Sequence, residues 1–149
     1  MPVGFIKSLF GIGSSSHEKL RLQDNELGVF SALNNSGNRI IWKGTADFLS
    51  QKVSLFIHGE KEALDASQKK MVMEILRCES QIGMEIDRSL KAQYDYTDKE
   101  YVNREAHFTC ISITSSEHDT IITMEEKESF YHLNIRFINN KAIGATIDN

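Results

Sequence analysis

The chain reads as one α+β domain: an antiparallel sheet of about six or seven strands with one long helix packed on it, in the order strands, helix, strands. Three observations lead there. Residues 53–58 and 130–137 alternate apolar and polar, the period of a strand with one buried face. Residues 66–94 instead repeat their apolar positions at helical spacing. Short turn clusters, among them residues 34–38, 115–119 and 139–140, fit hairpins, and hairpins pair antiparallel. A length of 149 residues suits a single domain, 1–149.

The elements follow in chain order. Residues 3–12 could form a short amphipathic helix from Phe5, Ile6, Leu9 and Phe10, either a membrane-surface anchor or a flexible or loosely docked lead-in spanning 1–16. Lys7 interrupts the apolar run, so it is not a secretory signal. No stretch approaches the ~20 apolar residues that span a bilayer. Strand-type runs cover 19–22, 27–33, 39–43 and 53–58. In the last, Val53, Leu55 and Ile57 share one face, and Ser54, Phe56 and His58 the other.

The helix is expected as one element over 66–94. Asp65 is its N-cap, with Gln68 three residues on. Met71, Val72, Ile75, Cys78, Ile82, Ile86 and Leu90 form its stripe. Gly83, costly inside a helix by up to ~1 kcal/mol, marks a kink or a close strand approach. Residues 97–104 are a short helix or a loop. Strands then cover 107–114, 120–124, 130–137 and 141–147, the last two joined by Asn139-Asn140.

Composition narrows the function. The net charge is −4. No basic stripe is present to replace phosphate counterions, which points away from nucleic acid. The acidity gathers late: residues 106–149 hold three basic and six acidic side chains, a balance of −3. Cys78 and Cys110 form no CxxC pair and read as small apolar thiols in a reducing cytoplasm. There is no GxGxxG, Walker loop, GxSxG elbow or HExxH, and the five histidines lack metal spacing. No cofactor, no metal and no catalytic residue are expected.

Two candidate surfaces remain. Glu117, Asp119, Glu125, Glu126 and Glu128 suggest an acidic patch for a basic protein partner. His132, Asn134 and Arg136 line the polar face of the strand whose core face carries Tyr131, Leu133, Ile135 and Phe137. Glu79 is the odd residue. It falls within the apolar stripe, where a carboxylate must be paired, hydrogen-bonded or neutral. A structural contact, a wet stripe edge and a catalytic role all stay open for it.

Trp42-Lys43-Gly44, then Val53-Ser54-Leu55-Phe56-Ile57, a long helix ending near Tyr94, and the finish HLNIRFINNKAIGATIDN at 132–149 form a recurring layout. Over roughly residues 25–147 it resembles small bacterial cytoplasmic proteins of unassigned function, some of them similar to immunity proteins encoded beside polymorphic toxins. The resemblance implies a binding protein and carries no catalytic residue. The expectation is therefore a non-enzymatic binder of another protein, in the manner of a toxin inhibitor. The alternatives are a small-molecule binder or enzyme with a pocket between helix and sheet, and a structural subunit of an assembly.

Overall fold

A computed structural model describes residues 20–34, 39–97 and 100–148. The segment 3–12 considered above lies outside the described residues. The elements are β1 (Arg21–Asp24), β2 (Gly28–Asn34), β3 (Ile40–Phe48), β4 (Gln51–Glu60), β5 (Ala63–Leu64), α1 (Ala66–Arg77), α2 (Glu79–Tyr94), α3 (Arg104–His107), β6 (Phe108–Ser115), β7 (Thr120–Glu126), β8 (His132–Ile138) and β9 (Lys141–Asp148).

The architecture corrects the sequence expectation in three ways. Among the described residues strand outweighs helix, and nine strands make one sheet, ordered β9-β8-β7-β6-β4-β3-β2-β1 with the short β5 beside β4. The sheet is not wholly antiparallel. β4 and β6 run parallel through Ser54↔Ser112, Leu55↔Ile113 and Phe56↔Thr114, with the helices as the crossover between them. The expected single helix is two. Cys78 leaves the helical region at φ −99° and ψ 38°. Its N–H still reaches Glu74 O at 3.0 Å, and the Ile82 N–H reaches Cys78 O at 2.9 Å, so the break lasts one residue.

The break was hidden because the apolar stripe keeps its phase across it. Val72, Ile75, Ile82, Ile86 and Leu90 are all buried against the sheet. Fully buried, each such side chain contributes about 1.5–3 kcal/mol of transfer free energy. Gly83 is not the kink. It lies inside α2 under close neighbours: an added Cβ would meet Leu49 Cδ2 at 3.3 Å and Arg104 Nη1 at 3.5 Å.

β3 and β4 are longer than their sequence suggested and pair over nine positions, from Ile40↔Gly59 to Phe48↔Gln51. They are joined by Leu49 and Ser50, both at positive φ (52° and 64°). Such a turn normally announces itself with Asn or Gly, and neither is present. Asn139 and Asn140 adopt the same conformation between β8 and β9, where the sequence did signal it.

The core lies on one sheet face. Trp42, Leu55, Ile57, Phe108, Ile113, Ile122, Leu133, Ile135 and Phe137 pack there with the stripe of α1 and α2. α1 starts as expected: the Asp65 carboxylate accepts the Gln68 N–H at 3.0 Å. Gln68 itself is buried and takes the His58 N–H at 2.9 Å, at the end of the parallel pairing. No described helix is long and apolar enough to cross a membrane.

Candidate functional site

The opposite sheet face is crossed by no described helix, and strand registers arrange its side chains in lateral rows. One row runs across eight strands: Arg21, Ser31, Lys43, Phe56, Thr114, Ile121, Arg136 and Gly144. A second carries only hydroxyls and an amide: Thr45, Ser54, Ser112, Thr123, Asn134 and Thr146. A third places Thr109, Glu125, His132 and Asp148 side by side.

Phe56 and Ile121 stand out in the first row. Both are half-buried, yet neither belongs to the core cluster or packs against it. They sit two strands apart, with Thr114 between them and longer polar side chains beyond. An apolar centre within a polar surround is the anatomy of a protein interface. Sequence reasoning placed Phe56 on the polar face of its strand but did not single it out. An aromatic ring among Ser54 and His58 was the available signal.

The expected acidic patch does not assemble. Glu126 is a correction: it is 3% exposed and faces the core side. Its carboxylate accepts the N–H of Glu128 at 2.9 Å and of Ser129 at 2.8 Å, shaping the β7–β8 turn. Burial of a carboxylate is tolerable when backbone donors saturate it, and nothing in the run Glu125-Glu126 shows which of the two turns inward without the strand register. Glu125 does reach the outer face, where it meets His132 Nε2 at 3.2 Å. Asp119 accepts from Ser116 Oγ and, at 2.9 Å, from Arg136 Nε. The Ser116 hydrogen bond and then the Arg136 guanidinium hold the Asp119 carboxyl below the usual carboxylate range. Glu117 and Glu128 are exposed at opposite ends of β7.

His132, Asn134 and Arg136 do line the outer face as expected. Asn134 accepts from Thr123 Oγ1 at 2.8 Å and donates to Asp148 at 2.6 Å. Of the candidate acids, Glu125 meets His132 and Asp119 meets Arg136, and Asp148 beside them is held by Asn134, so the face is mixed in charge. Pairs this exposed add little stability, about 0–1 kcal/mol each. Their effect is to fix side-chain positions.

Glu79 opens α2 and accepts the Leu49 N–H at 3.1 Å. Of the readings open for it, a structural contact exists, made to a loop amide, and the residue is exposed rather than buried in the stripe. It stands at the one-residue break, beside the Leu49–Ser50 turn that it binds.

A separate groove of about 520 Å³ lies between α1 and the β8–β9 turn, with Met71, Ile75 and Phe137 among its lining and Lys70, Glu74 and His118 on its rim. A second, about 500 Å³, adjoins it at Glu117 and His118 and touches Arg39 and His58. Among the described residues no three His, Cys, Asp or Glu side chains converge as a metal set. No family model matches the chain, and neither a curated protein nor a solved structure matches it.

Proposed function

We propose that this chain is a non-enzymatic binding protein that docks another protein on the outer face of its sheet. One observation carries the reading: Phe56 and Ile121 lie in register at the centre of a broad face, unattached to the core, inside rows of hydroxyl, amide and charge-matched side chains. Desolvated aromatic and aliphatic anchors supply most of the energy in such interfaces, and the surrounding polar groups supply register. The resemblance in layout to immunity-type proteins makes a bacterial toxin the partner class of choice, inhibited by occlusion.

The test has two steps. A tagged chain is used to recover the partner from its native host. The complex is then footprinted by amide hydrogen exchange with side-chain labelling. Protection centred on β4, β6, β7 and β8 at their outer side chains supports the reading. Protection confined to the groove residues Met71, Ile75 and Ile138 rejects this face. That second pattern belongs to the runner-up, a small-molecule binder or enzyme, which the groove beside α1 favours.

A further inference from the structure

The last strand leaves its outer edge half covered. At its start, Glu85 Oε1 accepts the Ala142 N–H at 2.9 Å, and Arg88 Nη2 approaches the Ala142 carbonyl at 3.4 Å. Both backbone groups of Ala142 therefore point away from β8, and α2 covers them. Outward and inward residues alternate along an antiparallel ladder. Phe137, Ile135 and Leu133 are spaced two apart on β8, and their partners are Ala142, Ala145 and Ile147. The irregularity at Ile143 absorbs the extra residue on β9. Ala145 and Ile147 thus share the outward orientation of Ala142.

Nothing comparable to the α2 clamp takes up their N–H and C=O groups among the described residues. The stretch 143–147 carries no charge and no proline, and Ile143 and Ile147 are about half exposed. Charges and proline are devices that keep an edge from pairing. The opposite edge uses one of them: β1 is four residues long and begins and ends on Arg21 and Asp24.

We propose that a second copy of this chain covers the open half of β9, paired antiparallel about a two-fold axis at Thr146. In this register Ala145 lies opposite Ile147 of the second copy, and each exchanges two main-chain hydrogen bonds. Thr146 lies opposite its own counterpart. The faces match, because Ala145 and Ile147 pair with core-facing residues of β8 and Thr146 pairs with Asn134 on the outer face. The outward groups flank Thr146 symmetrically and no charge opposes its like, so the open stretch is complementary to itself, as a two-fold interface requires. A partner strand from another protein would need no such symmetry. The edge is separate from the Phe56 region, so the inference does not rest on the protein-partner reading. An interface of a few strand residues sits at the small, weak end of protein contacts, so the association is to be sought at micromolar concentrations and above.

Sedimentation equilibrium of the full chain between about 1 and 200 µM tests it across that range. The wild type should show a monomer–dimer equilibrium. Thr146→Lys and Thr146→Asp each bring like charges together at the axis, and each alone should weaken dimerisation by about tenfold or more. Their equimolar mixture should recover a heterodimer. The Thr146 side chain is exposed, so both variants should keep the wild-type circular dichroism. Ile147→Pro removes one outward N–H while sparing the β8 ladder and should also be monomeric. A wild type that stays monomeric throughout, a dimer indifferent to Thr146→Lys, or a Lys/Asp mixture that fails to associate would overturn the proposal.

Discussion

The Ser129 amide donates to Glu126 Oε2 at 2.8 Å, from inside a turn that the same carboxylate also ties at the Glu128 amide. Glu126 therefore shapes the β7–β8 connection from the buried side, and β8 begins where that turn delivers it. Glu126→Ala leaves these donors without their acceptor, which costs about 1–3 kcal/mol. Glu126→Gln keeps an acceptor oxygen and should lose less. Urea titrations of both variants check this order. Equal midpoints for Ala, Gln and wild type would show that the turn is held by other contacts.

Acid should unfold the protein through a small set of carboxylates. Burial alone would raise Asp24, but hydrogen bonds from Lys69 and from the Leu27 and Glu26 amides outweigh it and lower its pKa. Asp65 is lowered by the Gln68 amide and the Ser67 hydroxyl, Glu85 by Arg88 and the Ala142 amide, and Asp119 by Ser116 and Arg136. Each folded pKa lies below its unfolded value, so each contribution is complete above the unfolded pKa and is lost as pH falls through the folded one. The melting temperature should hold from pH 7 to about 5 and decline below about 4. A decline that begins well above about pH 5 would contradict this carboxylate account.

Ile86 is fully buried between α2 and the sheet. Ile86→Ala should cost about 2–5 kcal/mol. A loss under about 0.5 kcal/mol in chemical denaturation, far short of a core truncation, would mean that α2 does not seal the sheet there.

The two thiols should separate cleanly. Burial pushes the Cys110 thiol up to about 12, while Cys78 is partly open at the α1–α2 break. A maleimide at neutral pH should label Cys78 in the folded chain and Cys110 only on unfolding, since the thiolate is the reactive form. Equal labelling rates in the native state would contradict the packing of β6.

Much of the core was legible because periodicity reports burial directly. Val53, Leu55 and Ile57, then Val72, Ile75, Ile82, Ile86 and Leu90 of the helical stripe, and Leu133, Ile135 and Phe137 are buried as their spacing required, while Met71 and Cys78 of the same stripe are only half-buried. Connection and count were less legible. A left-handed Leu49–Ser50 turn has no sequence signature, so β3 and β4 read as shorter than they are. The Cys78 break preserves the helical phase and contains neither proline nor glycine. The parallel β4–β6 pairing is a long-range choice that no local pattern records.

The candidate site was legible by strand and not by surface. His132, Asn134 and Arg136 face outward as alternation demanded. The acidic residues between 117 and 128 scattered because neighbouring positions on a strand point to opposite faces. Phe56 and Ile121 come into one row, either side of Thr114, only through the pairings of β4, β6 and β7.

The outer face of the sheet is the centre of this account, and Phe56 is its most exacting probe. The ring is unattached to the core, so Phe56→Ala should leave the melting temperature close to wild type. Against the recovered partner, measured by calorimetry, the same substitution should raise the dissociation constant by about tenfold or more, which is about 1.4 kcal/mol or greater. A dissociation constant unchanged by Phe56→Ala, with the fold intact, would contradict the assignment of this face as the binding surface.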